Sequence, residues 1–243
     1  MKSGGTQSLS QILFSQGFGT RRHCSAMIAD GQVQIGGVTA VDVDEAFPTA
    51  GLVLTVNGQP WSYYEKALVL LHKPAGYECS TKPKHHPGVL MLLPPPLRAR
   101  GVQPVGRLDA DTTGLLLLTD DGLLIHRLTS PKHRVEKVYE VTCKLPVTND
   151  AINRLLAGVM LDDDPRPAVP VSCTGTGEFS LRMTLTEGRY HQVKRMLVAV
   201  GNEVQTLHRS ALGALNLAGG PARGQWRFVD QFERAALLAQ PAG

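Results

Sequence analysis

The chain lacks the usual marks of an exported, membrane-bound or cofactor-loaded protein. Its four cysteines, Cys24, Cys79, Cys143 and Cys173, stand far apart and form no Cys-x-x-Cys pair. That spacing argues against a zinc ribbon or a disulfide framework and fits a reducing compartment. No apolar stretch approaches the ~20 residues needed to cross a bilayer, and the longest, such as the four leucines at 115–118, are strand-sized. The opening Met1-Lys2-Ser3-Gly4-Gly5-Thr6-Gln7 is polar with no apolar signal segment behind it. A cytoplasmic location without membrane attachment is therefore expected. His85-His86 has no third ligand at a suitable spacing, so no metal is expected either. Repeats and low-complexity tracts are missing as well.

A strong excess of one charge is also missing: the net charge is only +4, so polyanion binding has to be argued from placement. Placement favours it. Basic residues bunch at Arg21-Arg22-His23, 82–86, 98–100, 132–137 and 189–195, mostly in expected loops or at helix starts. One such bunch is ordinary solubilising charge; five point to an anionic partner. With 243 residues and 42% hydrophobic content, the chain can bury a sizeable core as one large domain or as a small and a medium one.

The pattern changes near 57–65, and we read domains over 7–60 and 67–238 joined by a linker at 61–66. In the first, Leu9, Ile12 and Leu13 have helical spacing. Thr20 is placed to cap a second short helix with Cys24, Met27 and Ile28 inward. Val33 and Ile35 alternate, Gly36-Gly37 turns the chain, Val38-Thr39 returns, and 52–56 adds a strand before Asn57-Gly58. From Lys66 on, strands dominate and helices are not regularly interleaved, so the class is α+β. Strands are expected at 67–71, 115–118, 135–143 and 179–185, and helices at 151–158 and 187–201. The alternation at 135–143 puts Tyr139 on the apolar face with Val141 and Cys143. On the second helix, Val193, Met196, Leu197 and Val200 form the inward stripe, with Lys194 at its border and Arg195 pointing away.

The richest stretch is Gly106-Arg107-Leu108-Asp109-Ala110-Asp111-Thr112-Thr113-Gly114. It sets a cation and two acids in a loop that runs into a buried strand. A carboxylate there is costly unless paired or put to work. The helix start Gly188-Arg189-Tyr190-His191-Gln192 adds donors where the helix dipole favours an anion.

Two resemblances follow. Residues 7–60 resemble the S4 RNA-binding domain, in which the second helix presents basic residues to RNA; Arg21 and Arg22 fall at its start. The first helix reads Ser8-Leu9-Ser10 where that family often has Arg-Leu-Asp. The 106–114 string, Glu136-Lys137-Val138-Tyr139, 187–196 and His72-Lys73-Pro74-Ala75-Gly76 together resemble the pseudouridine synthases. Within them the chain is most similar to the small-subunit (16S) rRNA enzymes that carry an S4 domain.

The resemblance implies a mixed, mainly antiparallel sheet with flanking helices and a central cleft. It implies isomerisation of one rRNA uridine by base flipping, C1′–N1 cleavage, rotation of the base and C1′–C5 rejoining. The elements are unchanged by this reaction, so no cofactor is expected. Asp109 would be the catalytic carboxylate, nucleophile or base; Tyr139 would pack on the uracil and assist at C5; Lys194 would be the cationic partner of Asp109, where many relatives carry Arg. Arg107 would fill the space left by the flipped base, and Lys73, Arg189, His191 and Arg195 would join Arg21 and Arg22 in binding RNA. Asp111 is expected to brace the loop through Thr112 or Thr113. The implied partner is rRNA or a ribosomal assembly intermediate, and the protein is expected to be a monomer. Two related alternatives are a 23S rRNA enzyme and a non-catalytic S4-type assembly factor. A third, from Asp109-x-Asp111-x-Thr113, is a Mg²⁺-dependent phosphatase of the haloacid-dehalogenase type. That motif should follow an apolar strand, whereas Pro104 and Gly106 interrupt the segment before it.

Overall fold

The computed structural model describes residues 5–80, 82–162 and 164–239. Contacts divide them into two units: one runs to Ala67 and includes Leu93–Val102, and the other holds Leu68–Leu92 and the chain from Gln103.

In the first unit, β1 (Thr6–Ser8) leads into α1 (Leu9–Ser15), where the Ser8 backbone N–H donates to Gln11 Oε1 at 3.3 Å. Helix α2 (Arg21–Ala29) is capped by Thr20, whose Oγ1 accepts the His23 N–H at 3.2 Å. The two helices bury the stripes Leu9, Ile12, Leu13 and Cys24, Met27, Ile28. Then follow β2 (Val33–Ile35), β3 (Val38–Thr39), β4 (Ala46–Pro48), β5 (Val53–Val56) and β6 (Gln59–Ser62). An antiparallel sheet has the order β3-β2-β5-β6, while β4 pairs with β1. Asn57 and Gly58, at φ 49° and 76°, make the two-residue turn between β5 and β6.

The stretch read as a linker begins inside this unit. Trp61 lies in β6 and is buried. Gln16, fully buried, accepts hydrogen bonds from Trp61 Nε1 (3.3 Å), the Tyr64 N–H (3.3 Å) and Arg100 Nη1 (2.8 Å), and donates to the Tyr64 carbonyl (3.1 Å). Arg100 follows the short helix α3 (Pro95–Ala99), and its guanidinium also binds the carbonyls of Tyr64 and Glu65. Residues 93–102 thus belong with the first unit although the sequence pattern placed them in the second domain.

The second unit is α+β. Strands β7 (Leu68–Lys73), β8 (Gln103–Pro104), β9 (Thr113–Thr119) and β10 (Lys137–Cys143) precede the hairpin of β11 (Val159–Leu161) and β12 (Asp164–Ala168). They are followed by β13 (Ser172–Gly177), β14 (Ser180–Leu185), β15 (Val204–Leu212), β16 (Leu215–Asn216) and β17 (Trp226–Phe228). The main sheet runs β13-β14-β10-β15-β9-β7-β17, with β16 on β15 and β8 on β9; every pairing is antiparallel except β15 with β9. Helices α4 (Gly122–Thr129), α5 (Asn149–Ala157), α6 (Gln192–Ala199) and α7 (Gln231–Ala239) flank it.

Leu115, Leu116, Leu117 and Leu118 of β9 are all fully buried, so both faces of the strand are covered. On one face Leu115 and Leu117 pack with Leu68 and Leu70 of β7, Leu124 and Leu128 of α4 and Leu237 of α7. Each such leucine contributes about 1.5–3 kcal/mol. β10 alternates buried and half-buried residues, as its sequence does. The helix expected over 187–201 is shorter. His191 has φ 48°, outside the helical region, so α6 starts only at Gln192 and 187–191 form a loop. No helix among the described residues is long and apolar enough to cross a membrane.

Candidate active site

The site is assembled at the start of β9, by a loop that a buried cation holds from below. Lys73, at the end of β7, is fully buried. Its ammonium donates to the carbonyls of Pro74 (3.1 Å), Asp109 (3.0 Å), Ala110 (3.2 Å) and Thr112 (2.8 Å). Burial lowers its pKa, and the charges of Cys79, Asp111 and Asp109 offset part of that effect. The Gly76 N–H donates to the Ala110 carbonyl at 2.8 Å, and the Thr112 N–H closes a turn onto the Asp109 carbonyl at 3.1 Å. The loop then enters β9 at Gly114, where φ is 112°. A Cβ there would lie 2.3 Å from the Arg209 carbonyl oxygen and 2.6 Å from its nitrogen, so only glycine allows β15 to lie this close.

The first turns of α6 and the loop before it supply the facing groups. Lys194 Nζ lies 3.1 Å from Asp109 Oδ2 and 2.8 Å from each oxygen of Asp111. His191 Nε2 sits 3.3 Å from Asp109 Oδ1. Burial works against the charge of Lys194, but its bonds to Asp111 and Asp109 outweigh this and raise its pKa. For Asp111 burial pushes upward, and the bond to Lys194 outweighs it and holds the carboxyl below the usual range. Asp111 therefore braces the loop chiefly through Lys194, and only weakly through Thr112 Oγ1 at 3.5 Å.

Tyr139 projects from β10 and, at 9% exposure, lines the same cavity of about 90 Å³ as Arg107, Asp109, His191 and Lys194. A β-bulge between Val138 and Tyr139 in the pairing with β15 re-aims the strand at this point. Arg209 lies directly across from Tyr139, almost fully buried, with Nε donating to the Leu115 carbonyl at 2.8 Å. Two residues before Tyr139, Lys137 is buried too and donates to the Val135 carbonyl at 2.9 Å. Burial, with the charge of Arg209 added, pushes its ammonium down to about 8. Lys137 and Arg209 thus set buried positive charge beside Tyr139 in the sheet. A wider cavity of about 330 Å³ adjoins the first, lined by Cys79, Ser80, Arg107, Asp109, Tyr190 and His191 among others.

The structure brings Asp109, Tyr139, Lys194, His191 and Arg107 together. Arg107 is exposed and borders both cavities. Arg195 is half-buried and donates to the Tyr190 carbonyl at 3.2 Å. Arg21 and Arg22 are exposed on α2 of the first unit, with the Arg21 guanidinium 4.8 Å from the Phe14 ring centroid.

Two residues expected to bind RNA use their donors within the protein. Lys73 is fully buried and its ammonium donates to loop carbonyls. Arg189, whose side chain is 13% exposed, is held by Asp164 (3.4 Å), Glu187 (3.1 Å) and the carbonyls of Arg166 (2.7 Å) and Pro167 (3.2 Å).

Three contributors went unassigned in the sequence: Lys137, Arg209 and Gln192. Gln192 Oε1 accepts the Arg189 N–H at 2.9 Å and its amide donates to Glu187 at 2.8 Å, fixing the 187–191 loop. A charge on the inward face of a strand was the available signal for Lys137 and Arg209. The phosphatase alternative does not fit, because the 106–112 loop enters β9 from the two-residue antiparallel strand β8 and not from a strand of a parallel sheet.

With this geometry in hand, comparison with known proteins gives consistent findings. Residues 67–199 match the family model described as RNA pseudouridylate synthase. The chain is 38% identical over 236 residues to an uncharacterised RNA pseudouridine synthase of Bacillus subtilis, covering 96% of this chain and 98% of that protein. It is 45% identical over 172 residues to the ribosomal small subunit pseudouridine synthase A of Escherichia coli K12, covering 70% of this chain and 73% of the relative. A crystal structure of a pseudouridylate synthase superposes with a TM-score of 0.67 at 33% identity, over 95% of this chain and 99% of the other.

Proposed function

We propose, from the premise that the chain belongs to the RNA pseudouridylate synthase family, that it isomerises one uridine of 16S rRNA to pseudouridine. In this reading it acts in the cytoplasm as a monomer, and the first unit serves as an S4-type RNA-binding module. The 16S target is supported by the similarity to the small-subunit enzyme.

The observation that carries the reading is the seat of Asp109. One carboxylate oxygen faces Lys194 and the other His191, and Tyr139 lines the same cavity. The reaction breaks C1′–N1 and forms C1′–C5; the C5 proton leaves and N1 gains one, so nothing is oxidised or reduced. A carboxylate held by a cation on one oxygen and an imidazole on the other is positioned, not floppy, and positioning is a large part of such catalysis. Asp109 acts at the sugar, as nucleophile or as the base that begins proton removal. Tyr139 supports the uracil ring as it turns and assists the loss of the C5 proton. The target must leave its stack at a cost of a few kcal/mol; Arg107, exposed beside both cavities and with no ion pair among the described residues, takes its place there.

Tritium release from rRNA labelled at C5 of uridine tests this directly, and mapping pseudouridine in 16S and 23S rRNA from cells with and without the protein identifies the target. Purified protein that binds rRNA but releases no tritium would instead be a non-catalytic assembly factor.

A further inference from the structure

Next to the catalytic cavity lies an aromatic surface that the chemistry above does not use. Tyr190 is 66% exposed. Its ring is stacked on His191, with centroids 3.8 Å apart and planes 20° from parallel. The stack depends on a backbone that most residues avoid: His191 is one of three non-glycine residues with positive φ among those described. The strain is held in place. The Arg195 N–H donates to the His191 carbonyl at 3.0 Å, Arg195 Nη1 to the Tyr190 carbonyl at 3.2 Å, and Gln192 ties down Arg189. Strain kept at a site by surrounding bonds points to a use for the geometry it produces.

The inner member of the stack, His191, touches Asp109; the outer member, Tyr190, lines the wider cavity of about 330 Å³. The two cavities share Arg107, Asp109 and His191, so a nucleotide in the first has its chain neighbour at the second. We propose that Tyr190 is a stacking shelf for the unpaired base of the nucleotide adjacent to the target uridine. Base-on-aromatic stacking is insensitive to sequence, because every base offers a π face. The shelf would therefore hold the strand during base flipping without selecting the target. This inference rests on the reading of the chain as a pseudouridine synthase acting on RNA.

The test uses the full-length protein with Tyr190→Ala and Tyr190→Phe. The exposure of Tyr190 lets both variants fold, which circular dichroism checks. On an RNA hairpin carrying the mapped target, Tyr190→Ala should raise KM about tenfold with kcat within about twofold, and Tyr190→Phe should behave as wild type. An abasic nucleotide on one side of the target should cause a similar loss in the wild type and no further loss in Tyr190→Ala, the non-additivity expected of groups in contact. A lower kcat at unchanged KM would overturn the shelf and show that Tyr190 only orients His191; additive losses at both neighbours would overturn it as well. Binding of single-stranded oligouridylate provides an arm that needs no turnover. Wild type should bind about tenfold more tightly than Tyr190→Ala, and equal binding contradicts the shelf. Should the wild type release no tritium from any rRNA, the catalytic reading falls while this arm still decides the shelf.

Discussion

At the scale of single residues, the two acids of one loop differ in exposure and in partners. Asp109 is one-third exposed and held on both oxygens, whereas the Asp111 side chain is 69% exposed and is paired with Lys194. An exposed ion pair contributes about 0–1 kcal/mol, so Asp111→Asn should change kcat by no more than about fivefold. Lys194→Met removes the cation from both acids and should lower kcat about a hundredfold, the scale of a misplaced catalytic group. Lys194→Arg should recover most of that loss. Single-turnover tritium release measures all three, and equal losses in Asp111→Asn and Lys194→Met would show that Asp111 is more than a brace.

At the scale of elements, the strand entry and the buried cations dominate. Gly114→Ala places a Cβ 2.3 Å from the Arg209 carbonyl oxygen at a φ of 112°; it should destabilise the fold by at least about 2 kcal/mol, read as a lower urea midpoint. Lys137 titrates at about 8 when folded and at its ordinary 10.5 when unfolded. Between those values the unfolded chain binds more protons, so raising the pH adds up to about 3 kcal/mol of stability, and lowering it below 8 has no further effect. In Lys137→Met this rise should vanish while the slopes from other groups remain. Much at this scale was legible. The cap at Thr20, the leucines of β9, the alternation of β10 and the inward stripe of α6 follow from spacing and burial alone. The left-handed turn at His191 did not show, because nothing in Arg189-Tyr190-His191 marks positive φ as a glycine would. Nor did three of the four partners of Lys73, which are carbonyls of a loop 36–39 residues away.

At the scale of the whole molecule, the division of the chain is less simple than its pattern suggested. Residues 61–66 read as a linker because the pattern of the chain changes there, but Gln16 and Arg100 bind their backbone. Likewise 93–102 lie beyond the expected boundary yet belong to the first unit. Such contacts are set by tertiary partners distant in sequence, which local patterns do not encode. Arg21 and Arg22 are exposed on α2 of that unit and far along the chain from Asp109. Replacing both with Ala should weaken rRNA binding and reduce the slope of log affinity against log salt by about one to two, with kcat unchanged at saturating RNA. A loss of kcat with unaltered binding would count against an RNA-docking role for the first unit.

One carboxylate, seated between Lys194 and His191, is proposed to carry the isomerisation. Tritium release from 16S rRNA labelled at C5 of uridine, compared between the wild type and Asp109→Asn, tests it most directly. The wild type should release tritium and the variant none, with rRNA affinity preserved. Release by Asp109→Asn at a rate near that of the wild type would contradict it.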